Sequence, residues 1–381
     1  MVTEPASHEP PPNSRFASFI HRELVLLCVL IAGGAVLFLA TRELSASNVA
    51  LRRRDAEAWH ARGRSALERG QTPEALEALG RAAALARDDR GIARSLATAL
   101  RAAGQDARAA EVLEGLRARV PDDAEVDLEL ARLEAHRDFS LSTRYYQDTL
   151  DGFWAPADAA RAREVREEFI ALLLSHNQRA RALSQVLVLA ADLPPEPGWQ
   201  LRVAGLFLAC NDPRRAFARF SLVLRDDPGN RAARIGAGES AFQLDDFATA
   251  ARLLSDVPDA DDRIRELRVV AGRVLDADPL APRLGRRERI RRQVEMLDRA
   301  QARLAMCQPP SPGAAGLASD LQALLKAVPQ SGHGATADRD QAEDAVSLAA
   351  RAERASSGCG EPSPLDQAIA IIARLRGLSE P

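Results

Sequence analysis

The sequence predicts an all-α protein built from a repeated helix hairpin, and three observations carry that prediction. A 34-residue period runs from residue 56 to residue 264. Of 381 residues only 4% are aromatic, against 46% hydrophobic and 28% charged, with alanine, leucine and arginine dominant. That mix favours helices and lacks the alternating valine, threonine and aromatic residues that sheets need. An uncharged stretch, Leu24–Ala40, precedes the repeats. The net charge of −3 gives no global basic field for nucleic acid, and four cysteines are too few for a disulfide-built scaffold.

Residues 1–22 read as a disordered tail whose proline-rich, polar stretch Thr3–Ser14 (TEPASHEPPPNS) cannot bury a core. The 17-residue run Leu24–Ala40 spans ~25 Å as a helix, near the lower limit for a bilayer, and shows no polar face. We read residues 23–41 as an uncleaved, single-pass transmembrane helix. The Ala32-Gly33-Gly34-Ala35 cluster permits close approach of two such helices, so an oligomer is one expectation. Arg15 and Arg22 precede the run, whereas Arg42, Arg52, Arg53 and Arg54 follow it. Taken literally, the positive-inside rule leaves the large domain in the cytoplasm. The cysteines discussed below favour export. The reading is therefore a bacterial inner-membrane protein with a periplasmic domain, the cytoplasm being the alternative.

Six units fit the period: 56–89, 90–123, 124–157, 163–196, 197–230 and 231–264. Each half shows apolar residues at i, i+3, i+4 and i+7, the pattern of an amphipathic helix. A small residue recurs at position 20 (Ala75, Ala109, Thr143, Ala182, Ala216, Ala250), and another at position 8, as in Gly63 and Gly238. These let two helices pack closely. Position 15 carries Gly70, Gly104, Asp138, Asn177, Asn211 or Asp245, residues that tolerate the left-handed turn ending a helix. Prolines 121, 194 and 228 close the second helix of three units.

This pattern resembles the tetratricopeptide repeat. The first unit matches its consensus at Trp59, Gly63, Ala75, Leu79 and Ala82, the fifth at Ala204, Phe207, Ala216, Phe220 and Pro228. Departures are Arg62, Ala66 and Arg87, and the third unit is the poorest. The resemblance implies a right-handed α-solenoid with a concave groove, lined by each unit's first helix, that holds a protein or peptide partner. Positions 2, 5, 9 and 12 face such a groove. They include Arg64, Arg94, Arg101 and Arg132, a cationic strip suited to carboxylates, then the apolar Leu201, Leu208 and Phe242. The lysine/asparagine clamp of chaperone-tail-binding relatives is absent; Lys326 is the one lysine. Tyr145, Tyr146 and Trp154 cluster in the third unit, as core or as an exposed aromatic anchor. Successive helical side chains diverge by ~100°, so both tyrosines are not expected to be equally buried.

Residues 265–381 read as a loosely tied helical region with Pro/Gly-rich linkers. Helices are expected at 263–275, 286–306, 317–328, 338–354 and 365–378, the first capped by Asp261 or Asp262. Cys307 and Cys359 flank two of them. Their pairing closes a loop of about fifty residues, a tie suited to an oxidising compartment. The six histidines show no metal spacing, and phosphate-cradling loops, CxxC pairs and nucleophile elbows are absent. No enzyme and no cofactor is expected. The function expected is a membrane-anchored scaffold or adaptor. The alternative is a periplasmic assembly or quality-control factor for exported or membrane proteins, as in cytochrome c maturation.

Overall fold

The computed structural model describes residues 13–121, 123–152, 159–191, 193, 196–255, 257, 261–307, 313–328 and 335–378, with the backbone path alone at 13–30, 46 and 335–337. Among the described residues there are seventeen helices and no strand. They are α1 (Asn13–Glu68), α2 (Thr72–Leu85), α3 (Arg90–Ala102), α4 (Asp106–Arg119), α5 (Ala124–Glu134), α6 (Phe139–Asp151), α7 (Ala159–Ser175), α8 (Arg179–Ala191), α9 (Pro197–Ala209), α10 (Pro213–Asp226), α11 (Arg231–Gln243), α12 (Phe247–Ser255), α13 (Asp262–Ala277), α14 (Arg286–Ala305), α15 (Ala314–Ala327), α16 (Ala335–Ala355) and α17 (Pro364–Leu375). The chain divides into two compact units, residues 1–165 and 166–381.

The periodic positions become hairpin geometry. Helices α3, α5, α9 and α11 begin on the first residue of their sequence units. Gly70, Gly104, Asn177, Asn211 and Asp245 all have left-handed backbone, with φ between +56° and +73°. At each of these turns the next amide closes a six-residue loop, as in Gln71 N–H to Ala66 O (2.9 Å) and Asp212 N–H to Phe207 O (2.9 Å), satisfying a carbonyl left open at the helix end. The third unit departs from this. Asp138 is extended (φ −140°), and its carboxylate caps α6 by accepting from Leu141 N–H. The expectation of a left-handed turn there is corrected: an aspartate can serve either role.

Position 20 is buried in all six units, and Ala75, Ala109, Ala182, Ala216 and Ala250 are each fully so. Position 8 supplies the matching gap. A Cβ on Gly63 would lie 2.5 Å from Leu79 Cγ, and one on Gly238 2.6 Å from Leu254 Cγ. Leu79 and Leu254 are both completely buried at position 24 of the same units. Between units five and six, Phe220 fills the space left by Gly236. Alternation of glycine with a large side chain is how adjacent helices reach van der Waals density without strain.

In the second unit α13–α17 are not a loose cap. Met296, Leu297, Ile369 and Ile372 share one buried cluster with Phe247 and Ala250 of the sixth hairpin. Asp261 caps α13 through Ile264 N–H. Cys307 and Cys359 are bonded, with Cα atoms 5.1 Å apart. Among the described residues no helix is long and apolar enough to cross a membrane. Seven residues of the apolar run, 24–30, lie outside the described side chains; the rest, 31–40, stand exposed on α1.

Candidate functional site

Each hairpin's apolar stripe is spent on its partner helix and on its neighbours, so the open face of the first helices is where another chain can be held. In residues 1–165 that face is a charge ladder. His60 Nε2 on α1 meets Ser95 Oγ on α3 at 2.8 Å. Arg94 on α3 pairs with Glu125 (3.2 Å) and Glu129 (3.8 Å) on α5. Arg101 and Arg132 approach the same Glu129 at 3.8 Å each, and Arg161 on α7 approaches Glu125 at 3.9 Å. Arg94, Arg101 and Arg132 are thus brought together as the strip requires, but around a carboxylate of the chain itself. Arg64 is exposed on α1. An acidic ligand entering here must displace Glu129 from three guanidinium groups.

The sequence reading missed Glu129. Only part of its signal was local, the i,i+3 spacing to Arg132; its contacts with Arg94 and Arg101 depend on how α3 lies against α5.

In residues 166–381 the equivalent face is more apolar. Leu201 and Leu208 on α9 and Ile235 and Phe242 on α11 are each half-buried. The Phe242 ring packs edge-on against Phe247, centroids 5.1 Å apart. Glu239 sits among them. Burial pushes its carboxyl above the ordinary range, while Arg263 at 2.7 Å opposes the shift.

The tyrosine pair is core. Tyr145 and Tyr146 are only 5% and 2% exposed, which corrects the expectation of unequal burial and removes both from any exposed anchor. Helix α6 has protein on two sides, so directions ~100° apart are both covered. Tyr145 packs under Arg117, whose guanidinium carbon lies 5.2 Å from the ring centre. Arg117 also joins Asp127 (2.5 Å) and Asp148 (2.6 Å) across α5 and α6. Burial raises the Asp127 carboxyl above its usual range despite that partner. Trp154 lies outside the described residues.

A second concavity, about 480 Å³, opens between α16 and α17. Arg303, 1% exposed, forms its floor and donates to the carbonyls of Cys359 (2.9 Å), Gly360 (2.7 Å) and Glu361 (3.2 Å). Arg299 grips Asp366 with two bonds of 2.5 Å. Burial alone would raise Asp366, but Arg299 and the capping contact with Ser363 outweigh it and hold the carboxyl low. Beside them Glu353 is lifted to about 7 by burial and by the Asp366 charge. Among the described residues no group of three or more His, Cys, Asp or Glu is placed to hold a metal ion. The five arginines at the start of α14 are largely engaged within the chain. Arg289 donates to the Pro279 and Leu284 carbonyls, Arg291 and Arg292 share Glu288, and Arg286 pairs with Asp338 at 3.5 Å.

Residues 207–268 match the tetratricopeptide repeat. No curated protein is significantly similar to the chain. Solved structures similar to it include pilF of Pseudomonas aeruginosa (16% identity, TM-score 0.38, covering 54% of this chain and 90% of that one). A tetratricopeptide repeat protein of Parabacteroides merdae is similar at 15% identity and TM-score 0.34 (57% and 84%). YrrB, described as a TPR protein with an unusual peptide-binding site, is similar at 14% identity and TM-score 0.39 (50% and 96%). The family match thus runs from the end of α9 through the sixth hairpin into the start of α13.

Proposed function

We infer that the chain is a membrane-tethered adaptor that holds a protein or peptide partner on the first-helix face of its repeats. The observation that carries this reading is the packing code of the hairpins. Positions 8 and 20 of every unit, and position 24 of all but the third, where Gln147 is exposed, are consumed by the core, while Arg94, Arg101, Leu201 and Leu208 remain at least partly open. Supporting the tether, the described part of the apolar run enters no core: Ile31, Val36 and Phe38 are 63%, 66% and 67% exposed. A bare apolar patch of that kind asks for a bilayer or a partner. With the Cys307–Cys359 bond favouring an oxidising compartment, the arrangement proposed is a single-pass inner-membrane anchor with the repeats in the periplasm.

The apolar lining at Leu201, Leu208, Ile235 and Phe242 favours a second reading, an assembly or quality-control factor that grips extended apolar segments of exported chains. Capture from membranes in mild detergent separates the two. One stoichiometric partner, lost in the Leu201→Glu/Leu208→Glu variant, supports the adaptor. A heterogeneous set seen only after crosslinking supports the assembly factor. Capture unchanged by that variant sinks both.

A further inference from the structure

The concavity between α16 and α17 owes its shape to small side chains. Ala350 on α16 and Ala370 and Ala373 on α17 border it, and helices that meet through alanine leave a trough that larger residues would fill. Its lining runs from Ala350 to Ser357 on one side and from Asp366 to Arg374 on the other, so it extends ~10–12 Å along both helices. Its volume of about 480 Å³ lies in the range of pockets that take small organic ligands. Among the described residues no aromatic side chain lines it, which leaves methyl and methylene contact rather than stacking.

The charges around the trough do not cancel. Arg303, Arg354 and Arg374 line it together with Glu353 and Asp366. With the bound partners Arg299 and Asp245 added, four guanidinium groups stand against three carboxyls. Glu353 offsets less than a full charge. Its Oε1 is buried without a hydrogen-bond partner, and Arg303 Nε lies 3.7 Å from its Oε2. Burial and the Asp366 charge lift the carboxyl to about 7, so it is partly protonated at neutral pH. Of the lining cations, Arg303 and Arg374 are paired. Arg354 is exposed and has no ion-pair partner among the described residues.

An alkyl chain ending in one carboxylate matches these features. Its head takes the free guanidinium by paired N–H donation and brings the carboxyls level with the guanidinium groups. Its chain lies against the alanines. A peptide would bring a row of amides to an alanine wall that cannot hydrogen-bond them, and an amine head would add to the surplus of positive charge. We propose that the trough between α16 and α17 binds a medium-chain fatty acid, with its carboxylate on Arg354 and its chain against Ala350, Ala370 and Ala373. The site stands apart from the adaptor reading, since Leu201, Leu208, Ile235 and Phe242 do not line it.

The test is photolabelling of the full chain, reconstituted in lipid, with a decanoic acid analogue that carries a diazirine on its chain. Mass spectrometry maps the labelled positions. The result expected is adducts within 350–357 and 366–374, displaced by unmodified decanoate and weaker for the matching decanol and decylamine probes. Arg354→Gln is expected to cut this labelling ~tenfold, the scale of one charge-assisted contact, and Arg354→Lys to fall between. Ala370→Trp fills the trough and is expected to abolish it. Both positions are exposed, so the thermal midpoint should hold in every variant. Absence of adducts at the trough, or equal labelling by the acid and amine probes, would overturn the proposal. So would displacement by a peptide with an apolar C-terminal residue but not by decanoate, or labelling that survives both Arg354→Gln and Ala370→Trp.

Discussion

Gly236→Ala tests the packing code at its tightest point. A Cβ at this position would lie 2.1 Å from Phe220 Cζ and within 2.5 Å of two further ring atoms. The ring, 5% exposed, has little room to retreat. Helix propensity alone predicts stabilisation, because alanine exceeds glycine by ~1 kcal/mol in a helix interior. Overpacking a closed core costs ~1–3 kcal/mol, and displacing a buried ring by more than an ångström belongs at the upper end. The net expectation is a loss of ~1–2 kcal/mol. Gly205→Ala, on α9 with nothing within 4 Å of a Cβ, is the matched control and is expected to gain ~0.5–1 kcal/mol. Urea unfolding followed by circular dichroism reads both as midpoint shifts at constant slope. Adding Phe220→Leu to Gly236→Ala is expected to recover part of the loss, since the two positions share one space. A Gly236→Ala midpoint that rises alongside the control would refute the reasoning.

Three further outcomes follow from the buried charges and the disulfide. Arg117→Met leaves Asp127, 4% exposed, without its 2.5 Å partner, and thermal or urea unfolding is expected to show a loss of ~3 kcal/mol. Glu353 is neutral in both folded and unfolded chains below its ordinary value of 4.5, and its folded value is about 7. Between those limits the unfolded chain releases its proton while the folded one keeps it. Stability is lost as pH rises through that window and stays lost above it. Glu353→Gln is therefore expected to match the parent below pH 4.5 and to exceed it by ~2–3 kcal/mol above about pH 7, as read from urea midpoints across the range. Reducing Cys307–Cys359, whose residues are 52 apart, frees a long loop in the unfolded chain. Unfolding with and without reductant should differ by ~4 kcal/mol on the chain-entropy account.

What the sequence disclosed follows the reach of each physical signal. The hairpins were legible because three local requirements coincide every 34 residues: a left-handed turn, a small residue at position 20 and an apolar helical stripe. Asp138 escaped because aspartate suits both the turn and the cap, and one residue decides between them. The equal burial of Tyr145 and Tyr146 was not legible, since it depends on neighbours on two sides of α6, which one helix's periodicity cannot report. The charge ladder was half visible. Arginines at groove positions could be listed from the register, but their engagement with Glu125 and Glu129 needs the lateral spacing of α3 against α5. The Arg303, Glu353 and Asp366 cluster joins residues up to 63 positions apart and has only one local trace, the Ser363–Asp366 capping pattern.

The central claim is that the first-helix faces hold a protein partner. Photocrosslinking residues placed singly at Arg94, Leu201, Leu208 and Phe242 test it most directly, compared in living cells with the exposed second-helix positions Leu187, Val188 and Leu222. The account predicts protein adducts from the first set and little from the second. Adducts confined to the second-helix positions, or none from the first, would contradict it.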